Sequence, residues 1–579
     1  MANLSKIKRE KMLEYLNKLK QINSDDENMR AITEIENALS EKKYGLVWEE
    51  HSEKVDEMLE HNIPIFVEDG KKKIVIDKVE GERERERERF NFLLEGDNLH
   101  SLKLLTKTHK GRIDVIYIDP PYNTGNKDFI YDDCFIDKTD GYSHSKWLSF
   151  MQKRLVIARE LLSDEGVIFI SIDEHEFAQL KLLCDDVFGE LNFVENFIWI
   201  KNSTKNLSKT TSTNHEYIIT YAKNIELIKN LQLFRKRKEG YDEVLKLVEK
   251  FKNEGLTTEQ AEENLQLFFK KPENFYYKAI STYKYIDENW NVFTSSDASA
   301  PKSTGIGNIY NVLHPITGKV CKLPKCGWRY TEETMKEHIK NGLIYFGKDE
   351  TTVPRFKRLL TTVETEVRKS VIIEFSEGKK ELQKIFGEAP FDNAKPIALI
   401  KDLFLVSQKN SIILDFFAGS GTTGHAVTQL NKEDGGNRKY ILCTNNENNI
   451  CEQVTYQRLK HIQTDLPHNL KYFKTDFISK YESEEDEKTI SEKMLDHIKE
   501  LIELEHHIEI DNKKYIILYN EEKLDTVLRD IQQDGKIFIP SGIFLSRTQQ
   551  SIIKEKNISV IDIPEYYFRN ELREVGELW

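Results

Sequence analysis

The stretch SIILDFFAGSGTTGHA, residues 411–426, decides the fold class. Its first six residues are mostly apolar, which predicts a buried strand. Gly419, Gly421 and Gly424 follow, and glycine lets the backbone turn tightly and approach a ligand closely. The residues after the glycines open a helix. A strand, a glycine-rich loop and a helix in this order predict a ligand-binding loop at the carboxyl end of a strand.

The glycine loop alone leaves several ligands open. It matches the dinucleotide pattern GxGxxG, with Glu447 at a suitable distance to bind a ribose, so an oxidoreductase is one interpretation. It also approaches a phosphate loop, but His425 and Ala426 replace the Lys and Ser/Thr that hold phosphate and magnesium, which disfavours an NTPase. A purely structural turn between strand and helix is the third interpretation.

Apolar segments alternate between strand and helix spacing on both sides of a central interruption. The predicted strands are 92–95, 113–118, 167–172, 411–416 and 440–444, and the predicted helices are 98–107, 147–162, 177–188 and 395–406. Segments 193–200 and 216–221 are predicted as two antiparallel strands that close the sheet edge. Such alternation predicts an α/β fold with a doubly wound, mostly parallel sheet.

The chain of 579 residues is too long for one hydrophobic core, so we expect several modules. The predicted modules besides the sheet are a helical module at 1–80 for dimerisation or assembly, a charged Glu-Arg linker at 81–89, an inserted domain at 225–385 and a C-terminal α/β assembly module at 481–579.

Composition limits the class of protein. No apolar run of about 18 residues occurs and the first 20 residues are charged throughout, so we expect no membrane span, no secretory signal and a cytoplasmic location. Six cysteines are few for this length, which favours reduced thiols. The net charge of −13 means that any nucleic-acid surface must be a local basic groove. Segments 201–209, 223–238 and 355–368 are candidates for it, although a charge run is more often a solvated face.

A second motif, Asp119-Pro120-Pro121-Tyr122-Asn123, follows the predicted strand 113–118. Two consecutive prolines remove two backbone donors, so nearby carbonyls stay free to accept hydrogen bonds. An amino group suits such acceptors. Because the lone pair of adenine N6 is delocalised into the ring, the Asp119 carboxylate and the Pro120 carbonyl could each take one N–H and stabilise the developing positive charge. Tyr122 could stack on a base that has left the duplex.

The two motifs together resemble those of the β group of amino-methyltransferases, in which the catalytic motif DPPYNTG, here 119–125, precedes the cofactor loop, here 415–421. Segments 90–224 and 390–460 are similar to the modification subunits of type III restriction-modification systems; the matching stretches include 96–98, 147–150, 166–173 and 214–217. The insert and both ends carry little resemblance.

The resemblance implies a Rossmann-like S-adenosylmethionine-dependent methyltransferase with a catalytic half at 90–224 and a cofactor-binding half at 386–480. It implies transfer of a methyl group to N6 of a flipped adenine in double-stranded DNA, since Asp rather than Ser heads the PPY motif. The insert takes the place of the target-recognition domain. The implied assembly is a homodimer that can join an ATP-dependent restriction subunit.

The resemblance also implies roles for individual residues, and no metal ligand among them. The implied catalytic residues are Asp119, Pro120, Pro121 and Tyr122, and Asn123 joins Tyr122 in binding the substrate. Lys395 and Pro396 would lie near the methionine moiety, Asp97 beside the adenosine and Glu447 at the ribose hydroxyls, with Asp476 as a rival for the adenosine. The other implied cofactor residues are Asn98, Asp415, Phe417, Ala418, Gly419, Ser420 and Gly421.

Other functions stay open on the sequence. The chain could be a solitary adenine methylase, or a DNA-binding assembly subunit without catalysis, which the intact Asp119 and cofactor loop oppose. A methyltransferase acting on protein glutamine would have Asn in place of Asp119, and one acting on RNA is not excluded. Cys321 and Cys326 have no second ligand pair, which disfavours a zinc site. His506 and His507 are predicted at the surface.

Overall fold

A computed structural model describes most of the chain in two compact units, Met1–Asn230 with Ser370–Trp579, and Leu231–Lys369. The predicted Glu-Arg linker lies outside the described residues except for Arg89. The described residues are 15–16, 18–20, 28–29, 32, 48, 50–76, 89–131, 134–137, 140–201, 211–271, 280–301, 303, 305–481, 488–519, 521–540, 543–563, 567 and 569–574.

The strands are β1 (Asn62–Glu68), β2 (Asn91–Glu95), β3 (Ile113–Ile118), β4 (Asn126–Tyr131), β5 (Cys134–Asp137), β6 (Leu162–Ile172), β7 (Phe193–Ile200), β8 (His215–Ala222), β9 (Arg235–Arg237), β10 (Tyr285–Ile286), β11 (Val292–Ser296), β12 (Ile344–Tyr345), β13 (Arg355–Leu359), β14 (Thr365–Val367), β15 (Val371–Ile373), β16 (Ile412–Asp415), β17 (Lys439–Thr444), β18 (Leu470–Ser479), β19 (Tyr515–Ile517), β20 (Lys536–Pro540) and β21 (Ser559–Ile563).

The α-helices are α1 (Lys54–His61), α2 (Asn98–His109), α3 (Ser143–Leu161), α4 (Phe177–Cys184), α5 (Ile225–Leu231), α6 (Tyr241–Asn253), α7 (Thr258–Lys270), α8 (Glu332–Lys340), α9 (Gly378–Phe386), α10 (Ile397–Phe404), α11 (Thr422–Asp434), α12 (Tyr456–His461), α13 (Ile490–Leu495), α14 (Ile498–His506), α15 (Leu524–Asp530), α16 (Arg547–Glu555) and α17 (Arg569–Glu574).

The larger unit is built on a ten-stranded sheet with the order β1-β18-β2-β17-β16-β3-β6-β8-β7-β15. The six strands from β18 to β6 run parallel to one another, β1 pairs antiparallel with β18, and β8 pairs antiparallel with both β6 and β7. The central strands are buried because their sequences are almost continuously apolar, as strands covered on both faces must be. This order confirms the predicted α/β class and its doubly wound, mostly parallel sheet.

Both edges of the sheet differ from the prediction. β15 pairs parallel with β7, so the antiparallel pair β7 and β8 does not close the edge. At the other edge, 62–68 is strand β1, although 1–80 was predicted to be helical. The buried run Ile63–Phe66 is too short to show a helical period, and Pro64, which cannot donate a ladder hydrogen bond, suits an edge strand.

The C-terminal segment is partly integrated into the larger unit. β19, β20 and β21 form a parallel sheet of their own, which agrees in type with the predicted α/β module. In contrast, α13 and α14 bury Ile490, Met494 and Leu501 in the same core as the ten-stranded sheet. His507 is 5% exposed and its Nδ1 lies 2.8 Å from the Phe90 carbonyl oxygen, so its predicted surface position was wrong.

The smaller unit falls within the predicted insert. It contains a four-stranded antiparallel sheet of order β10-β11-β13-β12 and the two-stranded pair β9 and β14. One core lies around α6 and α7, and a second surrounds Trp328, which is fully buried. Residues 370–385 of the predicted insert belong to the larger unit instead.

Candidate active site

The two sequence motifs meet at one edge of the large sheet. β3 delivers Asp119 and β16 delivers Asp415, and these strands are parallel neighbours with Val115 beside Ile413. Their carboxyl ends therefore open on the same edge, where a doubly wound sheet binds its ligands. This adjacency joins residues that lie almost 300 positions apart in the chain.

The Asp119 carboxylate is held by Lys395, which precedes α10 and lies 276 residues later in the chain. Lys395 Nζ lies 2.8 Å from both Asp119 oxygens and 2.9 Å from the Tyr122 hydroxyl. The Tyr122 hydroxyl is also 2.9 Å from Asp119 Oδ1. Trp147 Nε1 donates to the Pro121 carbonyl at 2.7 Å and fixes the end of the proline pair. Lys395, predicted near the cofactor, thus lies directly on the predicted catalytic carboxylate.

Glu216 completes this cluster and was missed as a site residue in the sequence. Its Oε2 lies 3.1 Å from the Tyr122 hydroxyl and 3.5 Å from Lys395 Nζ, and its Oε1 bonds to Lys201. β8 runs antiparallel to β6, so its first residues lie beside the last residues of β6, at the ligand-binding edge. The sequence signal that could have found it is a charged glutamate at the start of the otherwise mostly apolar strand β8, within the matching stretch 214–217.

The charges of the cluster support one another. Burial alone would lower the pKa of Lys395, but Asp119 and Glu216 raise it above its ordinary value. Burial opposes the charge of Glu216 as well, yet Lys395 and Lys201 hold its pKa below the usual range. Burial raises the pKa of Asp119, and Lys395 offsets part of that rise. Lys395 is therefore a cation at neutral pH and is no candidate for a general base.

The glycine loop has left-handed backbone conformations, and side chains of Thr455 and Arg458 donate hydrogen bonds to its carbonyls. Gly421 has φ +75°, and a Cβ atom there would meet Thr455 Cγ2 at 3.1 Å. The Thr455 hydroxyl donates to the Gly419 carbonyl at 2.5 Å, and Arg458 Nη1 donates to the Ser420 carbonyl at 3.2 Å. The open side of the loop can therefore receive a ligand whose group approaches the backbone closely.

The other predicted cofactor residues follow neighbouring strands. Asp97 comes after β2 and Glu447 after β17, so both lie at the same sheet edge as the glycine loop after β16. Asn98 Nδ2 donates to the Phe416 carbonyl at 2.8 Å, directly beside Phe417. Pro396 caps the amino end of α10. The rival Asp476 is exposed on β18, two strands farther from β16 than Glu447 is.

Asn123 is less open to a substrate than predicted. It is 8% exposed, and its Nδ2 donates to Glu176 Oε1 at 2.6 Å. The same Glu176 oxygen lies 2.6 Å from His144 Nδ1. The φ of Asn123 is +57°, a left-handed conformation that asparagine tolerates. The Asn123 amide therefore holds the catalytic loop in place, and its predicted contact with a substrate stays a prediction.

Asp415 makes stability depend on pH. It is 2% exposed, and burial raises its pKa to about 7, although the Thr423 hydroxyl and the Phe417 amide donate to its oxygens. Because the native pKa exceeds the unfolded value near 3.8, this carboxyl stabilises the fold below that value and loses its contribution as pH rises through 7. We expect Asp415→Asn to gain thermal stability relative to the wild type between pH 5 and pH 8, measured by melting curves. Parallel curves for the two proteins would contradict this.

Two of the predicted basic segments come together in the smaller unit. β9 pairs with β14, and Arg235, Lys238 and Arg358 line an open cavity of about 720 Å³ together with 361–366. Arg358 is close enough to Lys238 to contribute, after burial, to lowering the pKa of that lysine. The lining thus holds three cations and two carboxylates, Glu364 and Glu366, of which Glu364 is paired with Arg237. The third segment, 201–209, lies outside the described residues except for Lys201.

Two absences hold for the described part of the chain. No group of three or more metal-ligating side chains occurs there, and Cys321 and Cys326 are free thiols. No described helix is long and apolar enough to span a membrane.

Comparison with known proteins identifies a family whose model includes both motifs. The family model N6_N4_Mtase, described as DNA methylase, matches residues 113–456, more than half of the chain. The chain belongs to this family. The matched DNA methylase region runs from the start of β3, before the Asp119 motif, to the first residue of α12, after the glycine loop, so it contains both motifs and the insert between them.

Curated relatives of this DNA methylase include two Mod subunits of type III restriction-modification enzymes and one type II methyltransferase. The chain is 34% identical to the type III EcoP15I Mod subunit of Escherichia coli over 70% of its own length and 64% of the relative. It is 34% identical to the StyLTI Mod subunit of Salmonella typhimurium over 65% of this chain and 56% of that relative. The type II methyltransferase M.KpnI of Klebsiella pneumoniae is 31% identical over 66% of this chain and 90% of its own length. The chain thus spans less than two thirds of both Mod subunits.

Solved structures resembling this DNA methylase are more distant. The PvuII cytosine-N4-specific DNA methyltransferase is 10% identical with a TM-score of 0.31, covering 66% of this chain and 93% of that one. The M1.HpyAVI–SAM complex is 13% identical with a TM-score of 0.28, covering 65% and 98%. The fold class therefore rests on the strand order of the sheet itself.

Proposed function

We propose that the chain is a site-specific DNA methyltransferase that transfers a methyl group from S-adenosylmethionine to N6 of an adenine flipped out of duplex DNA. The observation that carries this is the adjacency of Asp119 and the glycine loop at the ends of parallel neighbours β3 and β16. Family membership and the Mod-subunit relatives support it. Asp119 at the head of the PPY motif favours adenine N6 over cytosine N4.

The residues of the larger unit fit S-adenosylmethionine. The left-handed backbone at Gly419 and Gly421 leaves the loop open to close approach by a ligand. Asp97 and Glu447 place carboxylates at the same edge, where hydroxyls of a ribose could donate to them. The cofactor supplies an electrophilic methyl group on a sulfonium sulfur. Asp97, Glu447 and the loop backbone would bind and orient it toward Asp119.

Asp119 and Pro120 would act on the target amine. The carboxylate and the carbonyl accept one N–H bond each, which directs the nitrogen lone pair away from the ring and toward the methyl group. The carboxylate would stabilise the positive charge that develops on the target nitrogen when it receives the methyl group. The extra proton leaves the nitrogen through Asp119 to solvent. Tyr122 would support the flipped base with its ring.

Analysis of the methylated base tests this function directly. The purified protein would be incubated with unmethylated plasmid DNA and S-adenosylmethionine, and the digested nucleosides would be separated by mass. We expect N6-methyladenine and no N4-methylcytosine, and methylation-aware sequencing should locate the mark at one sequence motif. N4-methylcytosine as the product would overturn the adenine assignment, and no methylated base would overturn the function.

The cavity of Arg235, Lys238 and Arg358 is proposed to contact DNA phosphates. Each phosphate contact adds about one to the slope of log affinity against log salt, so Lys238→Ala with Arg358→Ala should lower that slope by about two. Binding should weaken uniformly across DNA sequences, because phosphates carry no sequence information. Fluorescence anisotropy at several salt concentrations measures both effects. Lys250→Ala with Lys336→Ala, two exposed lysines of the same unit, is the control, and an equal change in it would contradict the assignment.

We further propose that the chain works as the modification and recognition subunit of a type III system, as a homodimer that can join a restriction subunit. The Mod-subunit relatives support this proposal. A second candidate is a solitary methylase, favoured by coverage of 90% of the type II methyltransferase M.KpnI. Co-purification with the product of a neighbouring helicase-type gene would support the first, and full activity of a protein that binds no such product would support the second.

A further inference from the structure

The catalytic carboxylate is already occupied by a cation from its own chain. Lys395 Nζ lies 2.8 Å from both oxygens of Asp119, and the Lys395 side chain is 10% exposed. An ammonium group in this position competes with the N–H of a target amine for the same acceptor atoms. A carboxylate has about four lone-pair sites, and Lys395 and the Tyr122 hydroxyl already engage three of them. A shift of Lys395 would therefore free Asp119 to accept the substrate.

Glu216 offers Lys395 a second anionic partner. Its Oε2 is 3.5 Å from Lys395 Nζ, so a shift of less than about 1 Å would bring the two within hydrogen-bond distance. Glu216 lies on β8, a different element from the loop of Asp119, and its other oxygen accepts a hydrogen bond from Lys201. Without Glu216, moving the buried Lys395 ammonium off Asp119 would leave a buried charge with neither an ion pair nor water, which costs free energy.

We propose that Glu216 is a positioning residue for the methyl transfer, which takes over the Lys395 ammonium when the target amine reaches Asp119. This inference rests on the proposed function. Glu216 does not touch the substrate; it acts through Lys395 by providing a place for the ammonium that leaves the carboxylate free. Transfer of the Lys395 ammonium from Asp119 to Glu216 also leaves the net charge of the buried site unchanged while the amine enters.

The surroundings of Lys395 determine how the site should respond to pH. Asp119 and Tyr122 face it from the loop after β3, Glu216 from β8, and Lys201 stands behind Glu216. Tyr117 and Asp415, on β3 and β16, are the next titratable groups around Asp119. In Glu216→Gln, Asp119 is the remaining carboxylate bonded to Lys395 among the described residues. The ammonium then stays on Asp119 until high pH removes its proton.

The test compares single-turnover methyl transfer by wild type, Glu216→Gln and Glu216→Asp between pH 6.5 and 9.5, together with affinities for S-adenosylmethionine and DNA. We expect Glu216→Gln to be about 10²-fold slower at pH 7, with both affinities unchanged. Its rate should rise about tenfold per pH unit, as one proton is lost, while the wild-type rate stays level. Glu216→Asp keeps the charge and should recover most of the rate. Glu226→Gln, an exposed glutamate shortly after β8, is the control.

Each other outcome counts against the inference. A Glu216→Gln rate equal to wild type would overturn it, and so would a loss of the same size at every pH, which indicates a merely structural residue. A loss confined to affinity for S-adenosylmethionine or DNA would assign Glu216 to binding instead. Wild-type protein without methyl transfer would overturn the proposed function and this inference together, which distinguishes that failure from the others.

Discussion

Replacing Asp119 with alanine is expected to lower the single-turnover rate of methyl transfer by at least about 10³-fold, because it removes the charge that stabilises the developing cation. The carboxylate is the group that Lys395 and Tyr122 hold at the end of β3. Affinity for S-adenosylmethionine should change little, since the glycine loop follows a different strand. The loss should therefore appear in the chemical step and in the methylation of cellular DNA.

Two further variants make the result interpretable. Asp119→Asn keeps one oxygen acceptor without the charge, so its rate should lie between those of wild type and Asp119→Ala. Asp164→Ala removes an exposed carboxylate near the opposite end of β6 and should leave the rate unchanged. Retention of more than one tenth of the wild-type rate in Asp119→Ala would show that the carboxylate is not the catalytic group. Melting curves separate loss of folding from loss of chemistry.

The central sheet could be predicted because its strands are short apolar runs, each followed by a recognisable turn or motif. β3 and β16 are apolar runs that end in a motif, and parallel strands open their carboxyl ends on one edge. The sequence could not show that β3 and β16 are direct neighbours, since pairing between residues 115 and 413 depends on how the whole sheet packs. Nor could it exclude a strand at 62–68, where a short apolar run has no readable period.

The charge cluster illustrates what local patterns miss. The resemblance implied a place for Lys395 near the cofactor, but tertiary packing brings its side chain to Asp119. Glu216 lies in the matching stretch 214–217, but no role was attached to it there. Its place in the cluster depends on β8, which pairs antiparallel with β6 and so brings its first residues to the ligand-binding edge. Contacts between distant side chains depend on tertiary packing, which single-sequence patterns do not contain.

The core beside β18 leads to the second large expected effect, on stability. Lys471 is fully buried, with its Nζ 2.7 Å from Glu503 Oε2 and 3.0 Å from Glu68 Oε1. These carboxylates come from α14 and β1, so one ammonium joins three elements. Lys471→Met removes the cation but keeps the volume, and it leaves buried Glu503 with the more distant and partly exposed Lys499, at 3.8 Å, as its remaining cation among the described residues. We expect a loss of about 3–5 kcal/mol in stability, measured as a lower melting temperature of the larger unit.

The pH dependence of this loss identifies its cause. Burial raises the pKa of Glu503 above its ordinary value even with Lys471 present, and loss of the cation should raise it further. A carboxyl with a raised native pKa stabilises the fold at low pH and loses that contribution as pH rises. The deficit of Lys471→Met should therefore be larger at pH 8 than at pH 5, and adding Glu503→Gln should reduce it. Lys488→Met, which breaks an exposed ion pair, should cause no measurable change.

The same variant decides whether the C-terminal segment is a separate module. If α14 were part of an independent assembly domain, Lys471→Met would release that segment and leave the melting of the sheet almost unchanged. Because α14 buries Leu501 and Ile502 in the core of the sheet and Glu503 pairs with Lys471, we expect one cooperative transition to shift as a whole. Limited proteolysis should then cut the variant at the sheet and at the C-terminal segment together. Early cleavage confined to the C-terminal segment would support the independent module instead.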